Sequence, residues 1–184
     1  MAVHDPHVQR PSDRAGQSGT ADGARRFGRY LLFERLRRNG MGEVYRAGRV
    51  RDGAVETLVT LRLFNAAGID GDAFDAACRA RAELGSILSG PPFAELLDMG
   101  CERGVAYAAH AHVPGRTLAE LLDRSRENGH PLPLGHALLI VDRIAIGLQN
   151  AYQRRLDEAR VVHGFLVPDF VHLSTECEIR LGGV

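Results

Sequence analysis

Tyr30-Leu31-Leu32-Phe33-Glu34-Arg35-Leu36, then Asn39-Gly40-Met41-Gly42, then Glu43-Val44-Tyr45-Arg46-Ala47 is the stretch from which the rest of the chain is read. Apolar and aromatic runs on either side of a glycine-bearing turn predict an antiparallel hairpin. Outward from it, Thr57 to Leu63 alternates and is β-branched, which predicts a third strand. Phe74 to Leu88 reads as a helix, with Phe74, Ala77, Cys78, Leu84, Ile87 and Leu88 on one face, and Pro91-Pro92 stops it. Two more strands follow, Phe93 to Met99 and Val105 to His112, joined by a turn at Gly100 to Gly104. Past Val113-Pro114-Gly115 the pattern turns helical. Thr117 caps a short helix from Leu118 to Arg124, and a long helix runs from Ala137 to about Arg155. Val161 to Leu173 and Ile179 to Leu181 read as short β-like pieces. The result is an α+β layout in two parts, five strands with one helix and then mostly helix. Residues 1–26 are rich in Gly, Ser, Asp, Arg and Pro and are expected to be a disordered tail. The divisions are therefore 1–26, 27–112 and 113–184.

Hydrophobic content of 45% and charged content of 25% are ordinary for a globular chain. The net charge of zero leaves no electrostatic footprint for nucleic acid or an anionic membrane. No apolar run approaches the ~20 residues that span a bilayer, and the first residues lack a signal-peptide pattern. A cytoplasmic protein is expected. Cys78, Cys101 and Cys177 lie far apart and read as buried reduced thiols. His110 and His112 fall on one face of a strand, but two ligands do not complete a zinc site, so no metal is expected. The chain contains no lysine: all 23 basic residues are arginine. Chemistry that requires an amine is excluded, because arginine is a permanently charged planar fork and not a titratable point donor.

Four stretches, in order and on matching elements, resemble the bacterial Hanks-type serine/threonine protein kinases. Glu34-Arg35-Leu36 through Gly40-Met41-Gly42-Glu43-Val44-Tyr45-Arg46-Ala47 is similar to that family's glycine-rich hairpin. Val59-Thr60-Leu61-Arg62 sits where the family has its Val-Ala-x-Lys strand. Val113-Pro114-Gly115-Arg116-Thr117-Leu118 is similar to the hinge between lobes, and Val162-His163-Gly164-Phe165-Leu166-Val167-Pro168 stands in place of the catalytic loop. The resemblance runs from about Phe27 to Val184. It implies a five-stranded antiparallel small lobe with one helix, joined to the first part of a helical large lobe. It also implies a chain that stops after the strand preceding the aspartate–phenylalanine–glycine position.

In that family, phosphoryl transfer needs cradled phosphates, metal ions and a carboxylate base. Here the first two glycines of the hairpin read Arg37 and Asn39, and only Gly42 remains, with Gly40 beside it. Arg37 and Arg38 read either as phosphate-attracting groups or as a solvated turn. The family's strand lysine becomes Arg62, and its helix glutamate becomes Arg81, counted back from Pro91. Glu83 lies roughly 200° further round the helix. Two inward arginines repel, so one is expected to reach solvent, or an anion to sit between them; a register slip bringing Glu83 to Arg62 is the alternative. His163 matches the family histidine, but Phe165 stands at the base, Val167 at the loop lysine and Phe170 at the metal-binding asparagine. Asp169 reads as a turn residue. Gly183 falls at the last metal-binding aspartate. Phenylalanine neither accepts a proton nor binds Mg²⁺.

The resemblance therefore implies a catalytically inactive, pseudokinase-like module that regulates or binds proteins in bacterial signalling. No cofactor is expected: Mg·ATP would bind weakly or not at all, with no Mg²⁺ site and with His110 guarding the back of the pocket. Backbone groups survive side-chain change, so a nucleotide sensor without turnover is an alternative. Its contacts would be Gly40, Gly42, Val44, Arg62, the Ala111 carbonyl and the Val113 amide. A kinase with rearranged catalytic residues is the other. The long helix carries Ala137-Leu138-Leu139-Ile140-Val141, then Ile144, Ala145, Ile146 and Leu148, apolar all round. Such a helix needs cover on nearly every side, so self-association or a protein partner is expected at Leu138, Ile140 and Ile144.

Overall fold

The computed structural model describes residues 25–64 and 71–183. Strands β1 (Arg25–Phe27), β2 (Tyr30–Asn39), β3 (Gly42–Arg51) and β4 (Ala54–Phe64) precede helix α1 (Gly71–Ile87), and β5 (Leu96–Glu102) and β6 (Val105–Ala111) follow it. They form one antiparallel sheet in the order β1-β2-β3-β4-β6-β5. The five longer strands are those expected; β1 is a sixth. It begins at Arg25, so Arg25 and Arg26, expected in the tail, are paired with Leu32 and Leu31. The physical reason is Phe27, which is buried edge-on against Tyr107 with ring centroids 5.6 Å apart. The rest of the expected tail lies outside the described residues, as does the Phe74 side chain.

Alternation along β4 buries Val59, Leu61 and Leu63 in the small-lobe core, with Tyr30, Leu32, Tyr45, Ala47 and Ala109. Thr60 and Arg62 consequently face the opposite side. Asp98 ties this core to its edge: Tyr30 and Tyr107 donate their hydroxyls to it at 2.5 and 2.9 Å, and Arg29 pairs with it. Burial alone would raise the Asp98 carboxyl, but these three donors hold it below the usual carboxylate range. Gly42 is needed for a steric reason: at φ +135° an added Cβ would lie 1.9 Å from the Leu63 carbonyl oxygen.

The second part contains β7 (Gly115–Thr117), α2 (Leu118–Glu127), α3 (Leu134–Gln153), a two-residue hairpin β8/β9 (Arg155–Leu156, Ala159–Arg160), a 3₁₀ turn (Pro168–Phe170), β10 (Val171–Ser174) and β11 (Ile179–Leu181). Thr117 caps α2 as expected, in a reciprocal capping box with Glu120. β11, β10 and β7 make a small sheet. A second core of Leu88, Phe93, Ala151, Val161, Val171 and Leu181 joins this part to the end of α1. Phe93 bridges Leu181 there, so the strand expected from Phe93 starts only at Leu96. On α1, Leu84, Ile87 and Leu88 pack into this core, whereas Ala77, expected inward, is exposed; Cys101 and Cys177, expected buried, are exposed too, and Cys78 is only partly covered.

Helix α3 corrects the expected docking region. Ile140, Gly147 and Ala151 are buried, and Ile144 and Leu148 pack on the second core, at the spacing of one helical face. At Gly147 an added Cβ would come 2.6 Å from Leu181, so the helix lies close on β11. Ile140 and Ile144 are thus core residues. The exposed apolar positions are Leu134, Leu138, Leu139, Val141, Ile146 and Tyr152.

Candidate functional site

A cleft of about 490 Å³ lies between the sheet and the helical part. β2 and β3 roof it with Leu36, Arg37 and Val44; β4 supplies Thr60 and Arg62; the connection after β6 supplies His112 and Val113; the floor holds Asp169 and His172. Behind it is a void of about 20 Å³ lined by His110, Ala111, Phe170, Gly182 and Gly183 among others. Of the expected nucleotide contacts, Val44, Arg62 and Val113 line the cleft, while Ala111 lines the void and its amide is bonded to Glu95. Gly40 is exposed at the hairpin turn, and Gly42 is spent on pairing with Phe64.

Arg62 is 6% exposed, and its guanidinium stacks over the Phe170 ring at 4.4 Å from the centroid. No described carboxylate is within ion-pair distance of it, and its Nη1 has no hydrogen-bond partner. Burial lowers its proton affinity; Asp169 opposes that shift and Arg37 adds to it. Arg81 points inward as expected, but neither to solvent nor to a shared anion: its Nη1 donates to the Gly183 carbonyl at 2.6 Å. Glu83 is exposed on another face, so the alternative register is not adopted. The two arginines avoid each other by finding different electron-rich surfaces, an aromatic face and a carbonyl.

The loop that follows brings the other named residues together. His163 is buried, and burial holds it below the ordinary histidine range. The Gly182 backbone favours its charged form, but neither ring nitrogen meets a partner in hydrogen-bond geometry. Phe165 is half exposed and lies edge-on to Phe170 at 5.6 Å. Val167 accepts from the Phe170 amide in the 3₁₀ turn. Gly183 has φ +86°, and an added Cβ there would lie 2.8 Å from the Phe170 ring. Phe170 therefore fills the space that a side chain at 183 would need.

Arg37 is not in a solvated turn. Its Nε lies 2.8 Å from Asp169 and its Nη2 3.1 Å from Asp123 on α2. Asn39 donates to the same Asp169 oxygen at 3.0 Å, and accepts from the Met41 amide to hold its own turn. Arg38 stays exposed near Glu43. The sequence reading missed His172. Burial, with Arg62 next, pushes it down to about 4, so it faces the cleft as a neutral ring. Its signal was the pattern Val171-His172-Leu173, in which period-2 alternation sends the histidine away from the core. His112 accompanies it, sharing a 3.0 Å hydrogen bond with the Thr60 hydroxyl.

A six-stranded sheet with one helix, a hinge, and a cleft above a short loop is the architecture of a protein kinase. The curated serine/threonine-protein kinase PknD of Mycobacterium tuberculosis is 32% identical over 141 residues, 77% of this chain. A crystal structure of the M. tuberculosis PknI kinase domain is 26% identical and superimposes with a TM-score of 0.66 over 91% of this chain. A structure described as the PpkA-294 apo form matches the fold at 18% identity and a TM-score of 0.60 over 90% of this chain. The chain spans about a fifth (19%) of PknD, 61% of the PknI chain and 62% of the PpkA chain. No protein-family model matches it. The chain is a bacterial Hanks-type serine/threonine-kinase-like protein, with the protein-kinase fold.

Proposed function

We propose that this chain is a non-catalytic, pseudokinase-like domain that acts as a regulatory or protein-interaction module in bacterial signalling, and that it works in the cytoplasm. The supporting observation is the packing of Phe170 beneath Arg62 and against Gly183. By the resemblance, Phe170 and Gly183 stand where a kinase places its two metal-binding side chains. One hydrocarbon ring fills that space, and a ring offers no oxygen to Mg²⁺. Phe165, at the position of the base, cannot take a proton from a hydroxyl. Without metal and phosphate amides, Mg·ATP loses its strongest charge-assisted contacts, so weak or absent binding follows, and no cofactor is required. A nucleotide sensor without turnover is the second reading, favoured by the open 490 Å³ cleft with Val44 and Val113 on its walls.

Interaction falls to the exposed side of α3. Leu134, Leu138 and Val141 follow one another at helical spacing on that side, and a partner or a second copy covering them would bury apolar area. No described helix is long and apolar enough to cross a membrane. The test of the proposal is a thermal-shift titration with ATP, with and without Mg²⁺, beside a radiolabel transfer assay. No metal-dependent shift and no label above an Arg62→Ala control is the expected result. A magnesium-dependent shift or label transfer above that control overturns it.

A further inference from the structure

A cavity of about 550 Å³ lies between α2, α3 and the β10–β11 hairpin and shares no lining residue with the interlobe cleft. Its walls are largely apolar. Pro92 comes from the connection after α1, Leu121 from α2, Leu139 and Ile140 from α3, and Leu173 and Ile179 from the two strands. On α3 the cavity takes His136, Leu139, Ile140 and Arg143, the i, i+3, i+4, i+7 set of one helical face. Leu138 and Val141 do not line it.

Charge at the rim is one-sided. Of the residues lining the cavity only Glu178 is acidic, and it is paired with Arg180 at 2.5 Å, so these two charges cancel. Arg143 is exposed and has no ion-pair or hydrogen-bond partner among the described residues. Asp142, its neighbour in sequence, is turned about 100° round the helix and does not line the cavity. One uncompensated positive charge therefore stands beside an apolar chamber of the size that takes a small molecule.

We propose that this cavity binds a free amphiphilic carboxylate, with its hydrocarbon chain among Leu121, Leu139, Ile140 and Leu173 and its head group on Arg143. A guanidinium presents paired donors that match a carboxylate, and each methylene buried adds roughly fourfold in affinity. The walls are concave, which suits a ligand that enters and not a flat protein surface laid across them. The site is separate from the interlobe cleft and holds whether or not a nucleotide binds there.

The turn from Ser174 to Glu178 supplies a reporter. Ser174 Oγ accepts from the Glu176 and Glu178 amides at 3.2 and 3.0 Å, and the turn so held keeps the exposed Cys177 at the cavity rim. In the full chain carrying Cys101→Ser, decanoate below its micelle concentration is expected to slow alkylation of Cys177 by N-ethylmaleimide at least fivefold and saturably. Octanoate should bind roughly tenfold more weakly, and decyltrimethylammonium, with the same chain and the opposite charge, should not protect. Arg143→Gln, at an exposed position, should weaken the decanoate effect at least tenfold, whereas Leu138→Asp, outside the cavity, leaves it unchanged. No protection, equal protection by decyltrimethylammonium, an unaltered effect in Arg143→Gln, or loss of the effect in Leu138→Asp overturns the proposal. So does protection without decanoate that grows with protein concentration, which assigns the cavity to a second copy of the chain.

Discussion

Replacing Gly183 with alanine puts a methyl group where the Phe170 ring already lies. An added Cβ falls 2.8, 2.9 and 3.1 Å from three of the ring carbons, and the backbone there has φ +86°. The backbone strain for an L side chain costs about 1–2 kcal/mol, and overpacking the ring adds about 1–3 kcal/mol. Gly183→Ala should therefore lose about 2–5 kcal/mol. Phe170→Ala removes a 95%-buried ring together with its contact to Arg62 and should lose about 3–5 kcal/mol. With the ring gone, only the backbone strain of Gly183→Ala remains, so the double variant is more stable than the sum predicts. The coupling should be about 1–3 kcal/mol, read from urea unfolding of the four proteins by far-ultraviolet circular dichroism. Coupling below about 0.5 kcal/mol is simple additivity and would refute the claim that this ring fills the space beneath residue 183. Aspartate has the same Cβ, so Gly183→Asp alone meets the same obstacle and should not create a magnesium site.

Two further predictions concern pH and association. His172 is held at about 4 against 6.5, so between those values the unfolded chain binds the extra proton. Its neutral form supports the fold above about pH 6.5, and that stability is lost as pH falls toward 4, by at most about 3 kcal/mol. His172→Gln should flatten the fall in urea midpoint between pH 7 and pH 4.5; His112 and His163, lowered in the same direction, stay in both proteins. An unchanged profile, or a His172 imidazole that titrates near 6.5 by nuclear magnetic resonance, would count against the burial argument. On α3, Leu138→Asp and Val141→Asp alter exposed residues and should shift stability by less than about 0.5 kcal/mol while dissolving any assembly. Ile140→Asp buries a charge and should cost about 3 kcal/mol or more. Light scattering after gel filtration separates these outcomes, and a molar mass in Leu138→Asp identical to that of an unmodified oligomer refutes the assignment of that face.

The strands and helices were legible because each follows from a local rule. Apolar runs around a glycine-bearing turn placed β2 and β3, alternation placed β4, Pro91 bounded α1, and Thr117 announced the start of α2. The inward direction of Arg81 and the outward direction of Glu83 followed from 3.6 residues per turn. Which residues stand at the kinase positions was also readable, because register along the chain is one-dimensional. Strand β1 was missed because three residues carry too little pattern, and Phe27 is anchored by Tyr107, eighty positions away. The β8/β9 hairpin, with two residues in each strand, has no period to read.

Where each side chain found its partner was decided only in three dimensions. Sequence placed Arg62 and Arg81 inside together and left their repulsion unresolved; the fold answered it with the Phe170 ring for one and the Gly183 carbonyl for the other. Arg37 looked equally suited to solvent or phosphate until the large lobe brought Asp123 and Asp169 beneath it, 86 and 132 positions further along. The long helix showed its apolar character in sequence but not which side would be covered, since it is apolar nearly all round. β11 and the second core made that choice by packing on Ile144, Gly147 and Leu148, leaving Leu138 and Val141 exposed. Periodicity and capping act over a few residues, so one chain suffices to read them. Ion pairs, ring stacking and the buried side of a helix depend on contacts between residues far apart in sequence, which exist only once the chain has folded.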